Sequence, residues 1–244
     1  MSSSHLVLLC ARTARSVSYL QALHTAGIVP DQVLVYGQSN STPHTTRAWQ
    51  AAKADGLFLP DLKEDVSTCL ARLGWPHVTC SADTLDDPAL LASVEKAAPG
   101  VLVYSGYGGQ LVPAALLKRY PVLHIHSGWL PDYRGSTTIY YQILEQRQCA
   151  ASALLLDETI DTGPVLARKV YPLPPAGLDV DYVYDNAIRA DLLVQVLTAW
   201  RRDPASLKPS ADAELQAEAP PYFIIHPLLK HLALLAVDQQ EAQP

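Results

Sequence analysis

The chain has 244 residues, 24 of them acidic and 18 basic, for a formal net charge of −6 with histidine neutral; 49% are aliphatic, aromatic or cysteine and 17% are charged. That composition supports a buried core and excludes a disordered chain, and its acidic balance argues against holding nucleic acid by phosphate neutralisation, which needs clustered Lys and Arg. Cys10, Cys69, Cys80 and Cys149 lack metal-binding spacing and read as buried thiols of a reducing compartment. With no basic leader and no apolar run of about 20 residues, the expectation is a cytoplasmic protein with neither nucleic acid nor membrane as partner.

Short aliphatic runs predict strands at residues 5–10, 32–37, 77–80, 100–104, 121–126 and 151–157. They are apolar throughout rather than alternating, as strands are when both faces of a parallel sheet are covered. Helix-length stretches lie between them at 16–26, 87–97, 113–118 and 137–146. Alternating strands and helices predict an α/β fold, an open, mostly parallel twisted sheet with helices on both faces. Residues 165–173 read as a further strand, antiparallel to 151–157 across the turn at 161–164. Residues 179–201 have the spacing of a long amphipathic helix with Val183, Ile188, Leu192, Leu193 and Leu197 inward. A catalytic unit is therefore expected over 1–202. Residues 203–244 are expected to be a linker and a short apolar segment, 222–237, that docks on its own domain or forms a homodimer contact.

Two segments carry candidate chemistry. His124 and His126 are two apart on a predicted strand, so they project from one face near its carboxyl end, where ligands bind in open α/β sheets. Asp161 follows the next strand in a tight turn, Asp161-Thr-Gly-Pro164. A carboxylate beside a histidine fixes its tautomer and stabilises its charged form, so His126 and Asp161 form a candidate acid/base pair. Taken singly, a turn aspartate usually caps its own backbone.

The run His124-Ile-His126-Ser-Gly-Trp-Leu-Pro-Asp-Tyr-Arg-Gly135, followed by Asp157-Glu-Thr-Ile-Asp161-Thr-Gly-Pro-Val165, resembles the formyltransferases that use 10-formyltetrahydrofolate. That family includes methionyl-tRNA formyltransferase, glycinamide ribonucleotide transformylase and the sugar N-formyltransferases. The resemblance runs from about residue 5 to 202 and implies a Rossmann-like fold with His126 and Asp161 as catalytic residues. His124 stands where the family has asparagine, the donor to the formyl oxygen as it becomes an oxyanion, a contribution of about 3 kcal/mol for donors of this kind. The resemblance also places the folate against Tyr107, Gly108, Gly109, Gln110 and Leu111, and against Leu156, Asp157, Glu158, Thr159 and Ile160. The family's glycine-rich phosphate loop is replaced here by Cys10-Ala-Arg-Thr-Ala-Arg-Ser16, so Arg12 and Arg15, with Arg134 and Gly135, are the candidate acceptor-binding residues.

The activity implied is formyl transfer to a small primary amine, an amino sugar or another biosynthetic amine, with His124 and His126 stabilising the oxygen and Asp161 helping to remove the amine proton. Few basic residues follow Arg202, which disfavours initiator tRNA as acceptor. Two alternatives stand beside it. One is a metal hydrolase with His124, His126 and Asp161 as ligands; the other is a folate or small-molecule binder without catalysis.

Overall fold

Six consecutive apolar residues, Leu6–Ala11, form β1 in the interior of the sheet, each 1% exposed or less. Burying one such leucine contributes about 1.5–3 kcal/mol, so a strand covered on both faces anchors the fold without any alternation in its sequence. The computed structural model describes residues 5–38, 47–50, 56–207 and 220–239.

Beside β1 lie β2 (Gln32–Tyr36), β3 (His77–Thr79), β4 (Val101–Ser105), β5 (Val122–Ser127), β6 (Cys149–Leu155) and β7 (Val165–Tyr171), in the order β3-β2-β1-β4-β5-β6-β7. The first five strands run parallel; β6 is antiparallel to β5, and β7 to β6. This is the expected mostly parallel sheet with an antiparallel extension.

The helices are α1 (Ala14–Thr25), α2 (Val66–Leu73), α3 (Pro88–Ala97), α4 (Ala114–Leu117), α5 (Thr138–Gln146), α6 (Asp185–Arg202) and α7 (Pro227–Asp238). The core on one face of the sheet takes residues from α1, α2, α5, α6 and α7, and the smaller core on the other takes residues from α3 and α4. The strand order reverses between β1 and β4, which opens a crevice at their carboxyl ends. Ser16 of α1 reaches across it, its hydroxyl 2.9 Å from that of Ser105 on β4.

Two elements depart from expectation, and the apolar tail takes one of the two forms expected of it. Helix α2 falls between predicted elements; Asp65 caps it by accepting from Thr68 N at 2.7 Å, and Gly74 at φ 65° ends it. The long helix begins with a wider π turn, Val180–Tyr184, before α6. The apolar tail forms α7 and docks on its own domain with Ala233 and Val237 buried, while Phe223, Ile224 and Leu228 stay exposed. The four cysteines are buried free thiols. Among the described residues, no helix is long and apolar enough to cross a membrane.

Candidate active site

Along β5, Leu123 and Ile125 enter the larger core, while Val122 enters the smaller one. His124 and His126 therefore lie on the Val122 face, as strand alternation requires. His126 is 4% exposed. Its Nε2 is 2.6 Å from the Tyr133 carbonyl oxygen and 3.3 Å from Thr138 Oγ1, whose own hydroxyl donates to the Ser127 carbonyl. A carbonyl can only accept, so Nε2 carries the proton and the lone pair of a neutral ring lies on Nδ1.

That Nδ1 faces Asp161 Oδ2 at 3.4 Å. Asp161 is 9% exposed, in the left-handed region at φ 52°, and its Oδ2 accepts from Gly135 N at 3.0 Å. Burial pushes the His126 pKa below the ordinary imidazole value; the Asp161 carboxylate opposes this and the Arg189 guanidinium adds to it. The site at rest thus presents a neutral imidazole whose free lone pair points at a carboxylate, at a distance longer than an ordinary hydrogen bond.

His124 is half-buried, with Nδ1 3.5 Å from the Tyr104 carbonyl oxygen and its ring 5.9 Å from that of Tyr104. Burial, then the nearby cations Arg15 and Arg189, then His126, hold its pKa well below the ordinary range, so this imidazole is neutral at physiological pH.

The two candidate arginines separate. Arg12 is tied to the scaffold, Nε donating to the Gly37 carbonyl at 3.1 Å and Nη1 to Ser67 Oγ at 2.6 Å. Arg15, in the first turn of α1, has a buried Nε with no hydrogen-bond partner among the described residues. Burial, then the cation of Arg189, lowers its pKa. Arg134 and Gly135 contribute backbone groups to the loop after β5.

Asp185 and Arg189 also belong to this region. They form an i,i+4 ion pair at 2.8 Å with 14% and 12% of their side chains exposed, and Arg189 Nη1 donates to the Ile125 carbonyl at 2.7 Å. The signal in the sequence was two opposite charges one turn apart flanking the inward Ile188.

The two candidate folate loops leave the sheet at opposite ends. Residues 107–111 follow the carboxyl end of β4. Residues 156–160 follow β6, which runs the other way, and Leu156 N donates to the Val122 carbonyl at 2.8 Å. The second loop then returns along the sheet face to bring Asp161 to His126. Tyr107 and Leu156 pack against the same smaller core. Gln110 Oε1 accepts from Tyr36 Oη at 2.8 Å, and Gly109 supplies the left-handed backbone at φ 79°. Asp157 closes its own loop by accepting from Thr159 N and Thr162 Oγ1, both at 2.9 Å, and Glu158 pairs with Lys118 at 3.2 Å. Leu111 (65%) and Ile160 (46%) are left exposed, one on each loop, as apolar edges. Among the described residues no three His, Cys, Asp or Glu side chains are gathered as a metal site requires, so the hydrolase alternative lacks its ligand set.

The formyl transferase family matches residues 5–197. Methionyl-tRNA formyltransferase of Chloroflexus aurantiacus is 37% identical over 133 residues, 52% of this chain and 42% of that protein; the counterpart from Roseiflexus sp. (strain RS-1) is 32% identical over 152 residues, 61% of this chain and 46% of that protein. The chain thus matches less than half the length of these relatives. A sugar N-formyltransferase from Shewanella sp. FDAARGOS_354 shares the fold with a TM-score of 0.57 at 17% identity, over 96% of this chain and 88% of that one. With the matched region running from β1 well into α6 and enclosing both the His126 strand and the Asp161 turn, the chain belongs to the formyl transferase family.

Proposed function

We propose that this protein transfers a formyl group from 10-formyltetrahydrofolate to a primary amine of a small metabolite, an amino sugar or another biosynthetic amine. The observation that carries this reading is the buried His126–Asp161 pair, drawn together from strand β5 and the turn between β6 and β7 in a member of this family. The donor supplies an activated formyl group to a neutral amine.

The chain's own residues divide the work. His126, with Nε2–H held by Tyr133, offers the Nδ1 lone pair to the proton released by the amine, and Asp161 stabilises the imidazolium so formed. Nδ1 then returns that proton to the folate nitrogen that loses the formyl group. Both His126 nitrogens are engaged in this role, so stabilising negative charge on the formyl oxygen falls to neutral His124. This revises the expectation that both histidines serve the oxygen. The apolar edges Leu111 and Ile160 and the backbone of the two loops suit a flat heterocycle such as the pterin.

An acceptor bearing an anionic or hydroxyl-rich group is supported by Arg15 Nε, Tyr19 Oη and Asp185 Oδ1, buried polar atoms of one electrostatic cluster that have no partner among the described residues. The acidic net charge supports a small acceptor over tRNA. The test is turnover of 10-formyltetrahydrofolate with a panel of amino sugars, their nucleotide-linked forms, other small amines and methionyl-tRNA. Transfer to a small amine is expected; transfer to methionyl-tRNA alone would overturn the acceptor assignment, and turnover with none would overturn the enzyme reading.

A further inference from the structure

In the turn between β5 and α5, the backbone of residues 133–136 presents two hydrogen-bonding edges. On one edge, the Tyr133 carbonyl accepts from His126 Nε2 at 2.6 Å and Gly135 N donates to Asp161 Oδ2 at 3.0 Å. On the other, the Arg134 carbonyl accepts from Tyr222 N at 2.7 Å and Ser136 N donates to the Tyr222 carbonyl at 2.9 Å. Odd residues thus face the His126–Asp161 pair and even residues face Tyr222, the alternation of a strand edge, and Gly135 and Tyr222 form a parallel bridge. Gly135 sits at φ 111°, and a Cβ there would lie 2.3 Å from the Tyr222 carbonyl oxygen, so only glycine lets the two backbones meet.

Tyr222 is itself held on several sides. Its ring stacks on Tyr133 (centroids 5.8 Å apart, 9° between planes) and lies 4.4 Å from the ring of Tyr141. Glu145 of α5 accepts from both Tyr133 Oη (2.9 Å) and Tyr222 Oη (3.3 Å). Three residues on, Ile225 N donates to Thr137 Oγ1 at 2.8 Å. Helix α7 anchors the segment further along, through the Arg47–Asp238 ion pair at 2.6 Å and through Arg147 Nη1 donating to the Ala236 carbonyl at 3.1 Å.

We infer that Tyr222 is a positioning residue of the active site: bridged to Gly135 and clamped between Tyr133 and Tyr141, it fixes from outside the backbone groups that hold His126 and Asp161 in register. This rests on the reading of His126 and Asp161 as the catalytic pair. The C-terminal segment, expected from the sequence to be an accessory, then supplies the outer wall of the site. A catalytic group moved by about 1 Å loses on the order of 100-fold in rate, so a clamp on this turn is felt in kcat even though Tyr222 touches no reacting atom.

The experiment uses the full chain. Tyr222→Ala, which removes the stacked ring, is expected to lower kcat about tenfold or more while KM for the folate changes less than about threefold; Tyr222→Phe, which keeps the ring, restores most of that loss. A readout independent of turnover is the 15N spectrum and titration of the His126 ring, whose charged neighbours are Asp161 from the β6–β7 loop and Asp185 and Arg189 from α6, with the titratable His124 on its own strand. Tyr222→Ala should weaken the preference for the Nε2–H tautomer and shift the titration; Tyr222→Phe should not. Amide exchange in the unaltered protein covers the case in which Tyr222→Ala does not fold, since the Ser136 N–H bonded to Tyr222 should be protected at least about tenfold over an unstructured amide. A folded Tyr222→Ala protein with unchanged kcat and unchanged His126 spectrum, or an unprotected Ser136 amide, overturns the inference. A protein that turns over no amine, yet shows the His126 shift, keeps the inference and removes the functional reading instead.

Discussion

His126 presents Nδ1, not Nε2, to Asp161, because the Tyr133 carbonyl 2.6 Å away has already fixed the proton on Nε2. Asp161 therefore faces a lone pair, and the 3.4 Å gap between two acceptors is the resting state of a site that closes when a proton arrives. The two residues then act as one unit. Asp161→Asn and His126→Ala are each expected to lower kcat by about 100-fold or more, and the double variant by only a few-fold beyond the worse single. Rate constants for the four proteins, with melting curves as the control for folding, check this; independent, multiplying losses would return Asp161 to the role of a turn residue.

The apolar edges of the two loops make a second prediction. Leu111 and Ile160 are exposed, one on each loop that the family resemblance assigns to the folate. Replacing either by Asp should weaken binding of 5-formyltetrahydrofolate, a stable mimic of the donor, by about tenfold or more, since covering one such side chain contributes about 1.5–3 kcal/mol. Calorimetric titration measures it. Unchanged affinity in both variants would place the folate elsewhere.

Most of the architecture could be read from the sequence because its inner strands, β1, β4 and β5 above all, are largely aliphatic runs covered on both faces, whereas the edge strands β3 and β7 are exposed or half-buried over most of their length. Helix α2 carries the apolar spacing of a helix, Val66, Cys69, Leu70 and Leu73 between the capping Asp65 and Gly74, but over only eight residues, so a short segment with Ser and Thr passes for a loop unless cap and stop are read together. At the site, the His126 strand and the Asp161 turn were legible as residue types at a fixed spacing. What could not be read was partnership across long separations: the Tyr133 carbonyl that sets the His126 tautomer, Arg189 reaching Ile125 from α6, and Tyr222 pairing with Gly135. These contacts run largely through backbone atoms, which carry no residue signature.

Acid stability follows from the depressed pKa of His124. Its folded value lies well below the ordinary imidazole value of about 6.5 that it regains on unfolding, so between those two values the unfolded chain binds the extra proton. Stability is thus lost as pH falls through about 6.5 toward the folded value, at up to about 1.4 kcal/mol per pH unit for each such histidine. His124→Asn removes one titrating group and should flatten the fall in melting temperature between pH 7 and pH 5. Parallel curves for the two proteins would mean that His124 is not held neutral by its surroundings.

The same histidine decides how the oxygen is stabilised. A neutral imidazole has one ring proton, and His124 can place it on Nδ1, toward the Tyr104 carbonyl, or on Nε2. At 3.5 Å the contact with Tyr104 is too long to fix the choice. Donation to a developing oxyanion requires the proton on the nitrogen that faces the formyl group, and a carboxamide at this position offers an N–H without that ambiguity. His124→Asn is therefore expected to retain substantial activity, and His124→Ala to lose roughly 100-fold or more in kcat with little change in folate affinity, as removal of a donor used only in the transition state does. Because the donor is neutral across the physiological range, the rate should not fall as pH rises from 6.5 to 8, whereas a donor that had to be protonated would lose activity steadily over that span. A His124→Ala protein with full activity would remove His124 from the chemistry, and a wild-type rate that declines through that window would mean that the neutral imidazole is not the donor.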